Sequence, residues 1–308
     1  MMATMKKTTS TALLSACLVL GMGFLQGCND DNNTSSGSTT SPPPPLLDAF
    51  DPDAFPIDMP SGSNGAGQLA FSASGDILAI GYTTQDIVTI SRPDGTISTL
   101  TVNGNGGALS SIVESDSGEL YLGDSSGFIY LVDTDTGILT SLGNLGAYTG
   151  GLVIAPAGFG AFEGQIIAAT FSGIKAFDPA GPTITDIGSN TAFSDLEFAA
   201  DGTLYVVGGT QVDIVTADGT RTNIATIGGS DLDGIAVDSD GNRLFVADSQ
   251  NDILYSVAIA DGTETSLGSY DFDSGTASTG LAYDGIDLFM LTGETDGTPA
   301  TIEIVTTP

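Results

Sequence analysis

The chain has 308 residues, with 6 lysines and arginines against 38 aspartates and glutamates and a formal net charge of −32. That balance excludes nucleic acid as a partner, because binding phosphate needs cationic neutralisation, and it sets the chain against anionic bilayer surfaces. Histidine is absent, which excludes histidine acid–base catalysis, a Ser-His-Asp triad and the common histidine zinc sites.

Met5-Lys6-Lys7 reads as the start of an export signal, with Met1 to Thr4 standing upstream of it. Thr11 to Leu25 is its apolar core, too short for an ordinary membrane-spanning helix. The core ends in Leu25-Gln26-Gly27-Cys28. This tetrapeptide resembles the lipobox of bacterial lipoproteins, in which the cysteine is lipidated and becomes the first residue. The resemblance implies that residues 1–27 are removed and that lipid on Cys28 anchors the protein to a membrane of the bacterial cell envelope, facing the periplasm or the cell surface. A Lys-Lys pair is not a twin arginine, so export through the Sec route is expected. Cys17 falls in the removed segment, so the exported chain keeps no thiol for a disulfide, a metal or a nucleophile. Lys6 and Lys7 also fall there and no acid does, so the exported chain is more acidic still.

Residues 28–53 are polar and low in complexity, with a proline run at Pro42 to Pro45. Such a tract cannot bury a core. It reads as a tether that stiffens at the prolines and holds the folded domain off the membrane.

Residues 54–308 read as one all-β domain of repeats. The clearest unit is Asp231 to Ser269. Gly234 to Val237 is an apolar run, Asp238 to Asn242 a dense turn signal, and Leu244 to Ala247 a second strand. Asp248 to Asn251 turns again, Ile253 to Ile259 is a third strand, and Thr263 to Leu267 follows Asp261-Gly262 as a fourth. Four strands in about 40 residues is the size of one propeller blade. The second strand recurs at Asp76 to Ala79, Glu119 to Tyr121, Gln165 to Ala168, Thr203 to Tyr205, Arg243 to Phe245 and Asp287 to Phe289. Tyr121, Tyr205, Phe245 and Phe289 share one register and are expected between blades. A sandwich would not repeat one motif in this way, whereas a closed ring leaves only short edges. The prediction is a six-bladed β-propeller with four-stranded antiparallel blades. The last repeat ends after Ile302 to Val305, so the stretch around Phe55 to Met59 is expected to supply its missing strand and close the ring. Pro56 and Pro60 suit an outermost strand.

The segment Gly234 to Asn251 resembles the NHL-type repeat of six-bladed propellers and the related gluconolactonase-like family. Asp248 stands at the usual Asp of that repeat, and Asp124 occupies the same place in the second blade. Both are read as turn carboxylates that accept backbone N–H groups. The basic residue that many NHL repeats carry after the turn is replaced here by Asp252, and the net charge also opposes RNA binding.

Propellers usually meet ligands where first strands begin, beside the central channel. Gln68, Ser111, Thr149, Ser194, Asp195, Asp231, Asp233 and Thr279 are expected there. Asp195, Asp231 and Asp233 are candidate ligands for Ca²⁺, a cation that takes hard oxygen donors; the other reading of the same aspartates is turn capping. The resemblance to gluconolactonase-like enzymes implies a divalent metal at this place held by Glu, Asn and Asp, but Gln68 stands where the Glu would be. Two functions follow. The first is an envelope lipoprotein whose non-enzymatic propeller binds or scaffolds a protein or glycan partner, with no cofactor. The alternative is a metal-dependent hydrolase or lactonase.

Overall fold

The computed structural model describes residues 49–61, 67–104, 106–238, 240, 242–272, 279–293 and 300–305. The export segment, Cys28 and the tether as far as residue 48 lie outside the described residues.

Six four-stranded antiparallel sheets form the six blades of a propeller. Strand β1 (Ile57–Asp58) precedes the first complete blade, which holds β2 (Leu69–Phe71), β3 (Ile77–Gly81), β4 (Asp86–Ser91) and β5 (Thr96–Thr101). Blade 2 holds β6 (Leu109–Glu114), β7 (Leu120–Asp124), β8 (Phe128–Val132) and β9 (Leu139–Asn144). Blade 3 holds β10 (Thr149–Ile154), β11 (Ile166–Thr170), β12 (Gly173–Asp178) and β13 (Thr183–Ile187). Blade 4 holds β14 (Asp195–Phe198), β15 (Leu204–Gly208), β16 (Gln211–Val215) and β17 (Arg221–Thr226). Blade 5 holds β18 (Leu232–Val237), β19 (Arg243–Asp248), β20 (Ile253–Ala258) and β21 (Glu264–Ser269). Blade 6 holds β22 (Leu281–Tyr283), β23 (Leu288–Leu291) and β24 (Thr301–Val305), and β1 completes it.

The pattern of burial explains the strand sequences. Second strands are buried on both faces, as in Ile77–Gly81 and Leu120–Asp124, and read as continuous apolar runs. Fourth strands lie outermost and are largely exposed, as in Thr96–Thr101. Tyr121, Tyr205, Phe245 and Phe289 are buried at matching positions between blades.

The ring closes where the sequence places it. Ile57 pairs with Ile302 and Asp58 with Thr301, so a strand from the N-terminal side becomes the outer strand of the last blade. Packing begins earlier, at Phe50, inside the stretch read from the sequence as tether. Phe50 is 2% exposed and sits in one cluster with Ile57, Met59, Phe289 and Ile302. Its ring meets those of Phe55 and Phe289 edge-on, at 5.7 and 5.1 Å between centroids. The Arg92 guanidinium lies 4.2 Å above the Phe50 ring and reaches Asp284 of blade 6 through Nη2 at 2.7 Å. Asp51 N–H donates to Pro93 O at 2.8 Å. The segment thus joins blade 6 as a strand and blade 1 through the Asp51–Pro93 hydrogen bond and the Arg92–Phe50 stack, while the Arg92–Asp284 ion pair links the two blades directly.

Phe50→Ala is expected to lower the unfolding free energy by about 3 kcal/mol, as large-to-small changes in a core do. The exposed neighbour Asp53 is the control: Asp53→Ala should stay within about 0.5 kcal/mol of the parent. Urea unfolding of both variants decides; equal midpoints would mean that Phe50 contributes nothing to closure.

Candidate functional site: the central channel

The first strands of all six blades line the channel, and equivalent residues form tiers. In the upper tier, nearest the strand starts, stand Gln68, Ser111, Gly151, Asp195, Gly234 and Gly280. Gln68 is buried and spans three blades. Its Nε2 donates to Leu152 O at 2.9 Å, and its Oε1 accepts from Ile112 N–H at 3.2 Å and Leu152 N–H at 3.0 Å. Asp195 does the same work on the other side. Its Oδ1 accepts from Leu196 N–H at 2.9 Å and its Oδ2 from Ile235 N–H of blade 5 at 3.1 Å. Gly151 makes room for the Asp195 strut, since a Cβ there would overlap Asp195 Oδ1, and Gly234 lets the Thr279 carbonyl of blade 6 approach.

Just above lie Ser110, Ser194, Asp233 and Thr279, all buried. Ser110 Oγ donates to Thr149 O at 2.5 Å. The Ser111 and Thr149 hydroxyl oxygens find no hydrogen-bond partner among the described residues, and neither does Asp233 Oδ1. Asp233 is 4% exposed. Burial pushes its pKa up to about 7, the Ser249 and Thr279 hydroxyls pull it partly back, and the Asp231 and Asp248 charges push it further up. Burial likewise holds the Asp195 carboxyl well above the usual range, against the pull of its two N–H donors.

The three aspartates singled out in the sequence therefore have different surroundings. Asp195 is spent on backbone N–H groups, Asp233 keeps one free oxygen, and Asp231 is exposed at the start of blade 5, its N–H given to Asp248 Oδ1 at 3.1 Å. Among the described residues no three His, Cys, Asp or Glu side chains are grouped to hold a metal ion. The donor set offers far fewer free oxygens than the six to eight that Ca²⁺ takes.

Asp124 and Asp248 are fully buried turn carboxylates. Asp124 Oδ1 accepts from Ser126 and Phe128 N–H, both at 2.9 Å, and its Oδ2 from the Tyr130 hydroxyl at 2.8 Å. Asp248 Oδ1 accepts from Asp231, Gln250 and Asn251 N–H.

Below the struts lies a cavity of about 250 Å³. Ala70, Val113, Val153, Glu197 and Ala282 line it, with Phe71, Phe198 and Tyr283 toward the strand ends. Glu197 is half-buried, and burial pushes its pKa up to about 8. The sequence reading passed over it. The available signal was its position: β14 reads Leu-Glu-Phe where β10 reads Leu-Val-Ile and β18 Ile-Ala-Val. On the upper side, the Tyr148 and Phe171 rings stack at 4.9 Å, with Phe171 48% exposed. Neither was picked out from the sequence.

These tiers and their closure define the class: an all-β, six-bladed propeller. No protein-family profile matches the chain and no curated protein matches its sequence. Solved structures do match in fold. A calcium-binding protein, regucalcin, from Agrobacterium tumefaciens is 15% identical, with a TM-score of 0.60 over 82% of this chain and 94% of that one. A Bacteroides thetaiotaomicron protein of unknown function is 16% identical, with a TM-score of 0.59 over 83% of this chain and 73% of that one. A catalytically inactive variant of virginiamycin B lyase from Staphylococcus aureus, with one histidine replaced by alanine and quinupristin present, is 17% identical, with a TM-score of 0.56 over 81% and 87%. The chain resembles the gluconolactonase-like and virginiamycin B lyase propellers in fold.

Glu197 and Asp233 make the stability of the domain pH-dependent. Both folded pKa values lie above the ordinary carboxylate range, so between that range and about pH 8 the unfolded chain binds fewer protons than the folded one. Stability from this source is intact at low pH and falls as pH rises through the window. Glu197→Gln should therefore match the parent near pH 5 and melt progressively higher than it toward pH 9. A difference in melting temperature that stays flat across that range would contradict the burial of Glu197.

Proposed function

We propose that the chain is a lipid-tethered protein of the bacterial cell envelope whose propeller is a non-enzymatic module for binding or scaffolding a partner. The observation that carries this reading is the commitment of Gln68 and Asp195 in the upper channel. Gln68 and Asp195 engage backbone groups of neighbouring blades, and so hold the ring rather than face a substrate. The chain also lacks histidine altogether. The lyase with the same fold is catalytically inactive once a single histidine is replaced, so its chemistry has no counterpart here. A protein or glycan is the partner proposed. The stacked Tyr148 and Phe171 rings supply an exposed apolar platform for either on the upper side. Anchoring rests on Cys28, because Leu25-Gln26-Gly27-Cys28 follows a charged and then apolar leader in lipobox order.

Cys28→Ala should release the protein from the membrane fraction. Cells expressing each form are fractionated and the membranes washed with carbonate; a variant that stays in the washed pellet would refute the lipid anchor.

The second reading is the metal-dependent hydrolase. It is favoured by the partnerless oxygen of Asp233 and by a calcium-binding neighbour in fold. A site for Ca²⁺ would add RT ln(1 + [L]/Kd), about 2.7 kcal/mol at a hundredfold excess over Kd. Thermal unfolding in fixed 0.5 M NaCl, on the order of full screening of surface charge, separates this from general charge neutralisation. With micromolar to millimolar Ca²⁺ the melting temperature is expected to stay constant. A rise that disappears in Asp233→Asn would favour the metal-dependent reading instead.

A further inference from the structure

The channel cavity holds a carboxyl to which the described residues give no counter-ion. Glu197 has no hydrogen-bond or ion-pair partner among the described residues, and burial alone shifts it. The other groups around it are accounted for. Glu114, across the cavity on β6, accepts from Ala73 N–H at 2.9 Å. Asp195, earlier on the same strand, has both oxygens on N–H donors. Tyr283 on β22 brings a phenol that burial keeps protonated.

The bases beyond Lys6 and Lys7 are all engaged elsewhere. Arg92 pairs with Asp284, Lys175 with Asp186, Arg221 with Asp213 and Arg243 with Asp238. A channel that needed only filling has its solution in the other blades, where Ala70, Val113, Val153, Ala236 and Ala282 hold the register of Glu197. A half-buried carboxylate in such surroundings is favoured by a cationic partner. The cavity, about 250 Å³, exceeds the roughly 150 Å³ in which an apolar protein cavity takes up benzene.

We propose that this cavity binds a small organic ammonium ion, with its apolar body against the Val113, Val153 and Ala282 wall and its ammonium group on the Glu197 carboxylate. The acidic field of the chain favours a cation over a neutral or anionic guest. Burial pushes the Glu197 pKa up to about 8, so at pH 7 binding is expected to release a proton to solvent as the ion pair forms. This inference does not rest on the tethered binding-module reading and survives its failure.

The probes are 2-phenylethylammonium, its neutral counterpart 2-phenylethanol and the anion 3-phenylpropanoate, titrated calorimetrically into the full chain at pH 7 in two buffers of different ionisation enthalpy. The ammonium is expected to bind with release of close to one proton, and the alcohol to bind about tenfold more weakly or not at all, the scale of losing a charge-assisted contact. Glu197→Gln should cost the ammonium a similar factor and abolish proton release. Val153→Phe, which fills the cavity and leaves the carboxyl chemically unchanged, should abolish binding while the fold is retained by circular dichroism. No binding of the ammonium, equal binding of the alcohol, or unchanged binding in Glu197→Gln would each overturn the proposal.

Discussion

A ring of blades has a continuous core only once its last blade meets its first, and here that meeting depends on one short segment. Each blade buries its faces against two neighbours, so an open ring leaves two faces wet. The strand Ile57–Asp58 and the residues just before it remove both at once. The strand supplies hydrogen bonds to Thr301 and Ile302, and Phe50 and Phe55 fill the cluster around Phe289. Arg92 crosses from blade 1 to Asp284 of blade 6, with both side chains buried. A buried ion pair is weak evidence of net stabilisation, since desolvation offsets attraction, but breaking one is costly. Arg92 also contacts Gly75 O through Nε at 2.7 Å, and Asp76 Oδ1 accepts its backbone N–H at 2.9 Å, so its position is also fixed within blade 1.

The same logic of cross-blade ties runs down the channel. Inner strands converge there, and their end groups cannot all be met within one blade. Gln68 meets the backbone of blades 2 and 3, and Asp195 meets blade 5 while pressing on Gly151 of blade 3. Together these two side chains touch much of the ring from the inside, as β1 binds it from the outside. Their roles differ from what their position suggested, because a polar group beside a channel is available to a ligand only if the backbone has not already taken it.

The repeat was legible in the sequence because it rests on local signals. Turn residues such as Asp238 to Asn242, aromatic residues at one register and apolar runs of second strands all act within a few positions, and each blade reports them independently. The closing strand was legible by subtraction, since the last blade lacks a fourth strand. Phe50 was not, because a single aromatic between an alanine and an aspartate in a proline-rich stretch carries no periodicity; its partners lie in blades 1 and 6. At the channel the sequence placed Gln68, Asp195 and Asp233 near one another but not their commitments, which depend on backbone donors of other blades. Glu197 was hidden for the opposite reason. One acid in a short apolar strand looks like a solvated position, and only the ring turns that position inward.

The charge distribution links these observations. Of the four bases among the described residues, the three arginines stand against carboxylates that folding would otherwise strand. Arg92 serves buried Asp284, Arg221 serves fully buried Asp213, and Arg243 serves Asp238 while stacking on Phe245 at 5.0 Å. Turn aspartates such as Asp94, Asp133 and Asp218 need no base: hydrogen bonds from the turns they close hold their pKa values below the usual range. Those carboxylates stay ionised and keep the surface strongly negative. The interior acids divide by what surrounds them. Asp124 and Asp248 have full sets of donors, Asp195 has two, Asp233 leaves an oxygen without one, and Glu197 has none. That order runs from groups that hold the fold to groups that folding leaves wanting a partner, and one of the latter kind stands on each side of the Gln68–Asp195 tier.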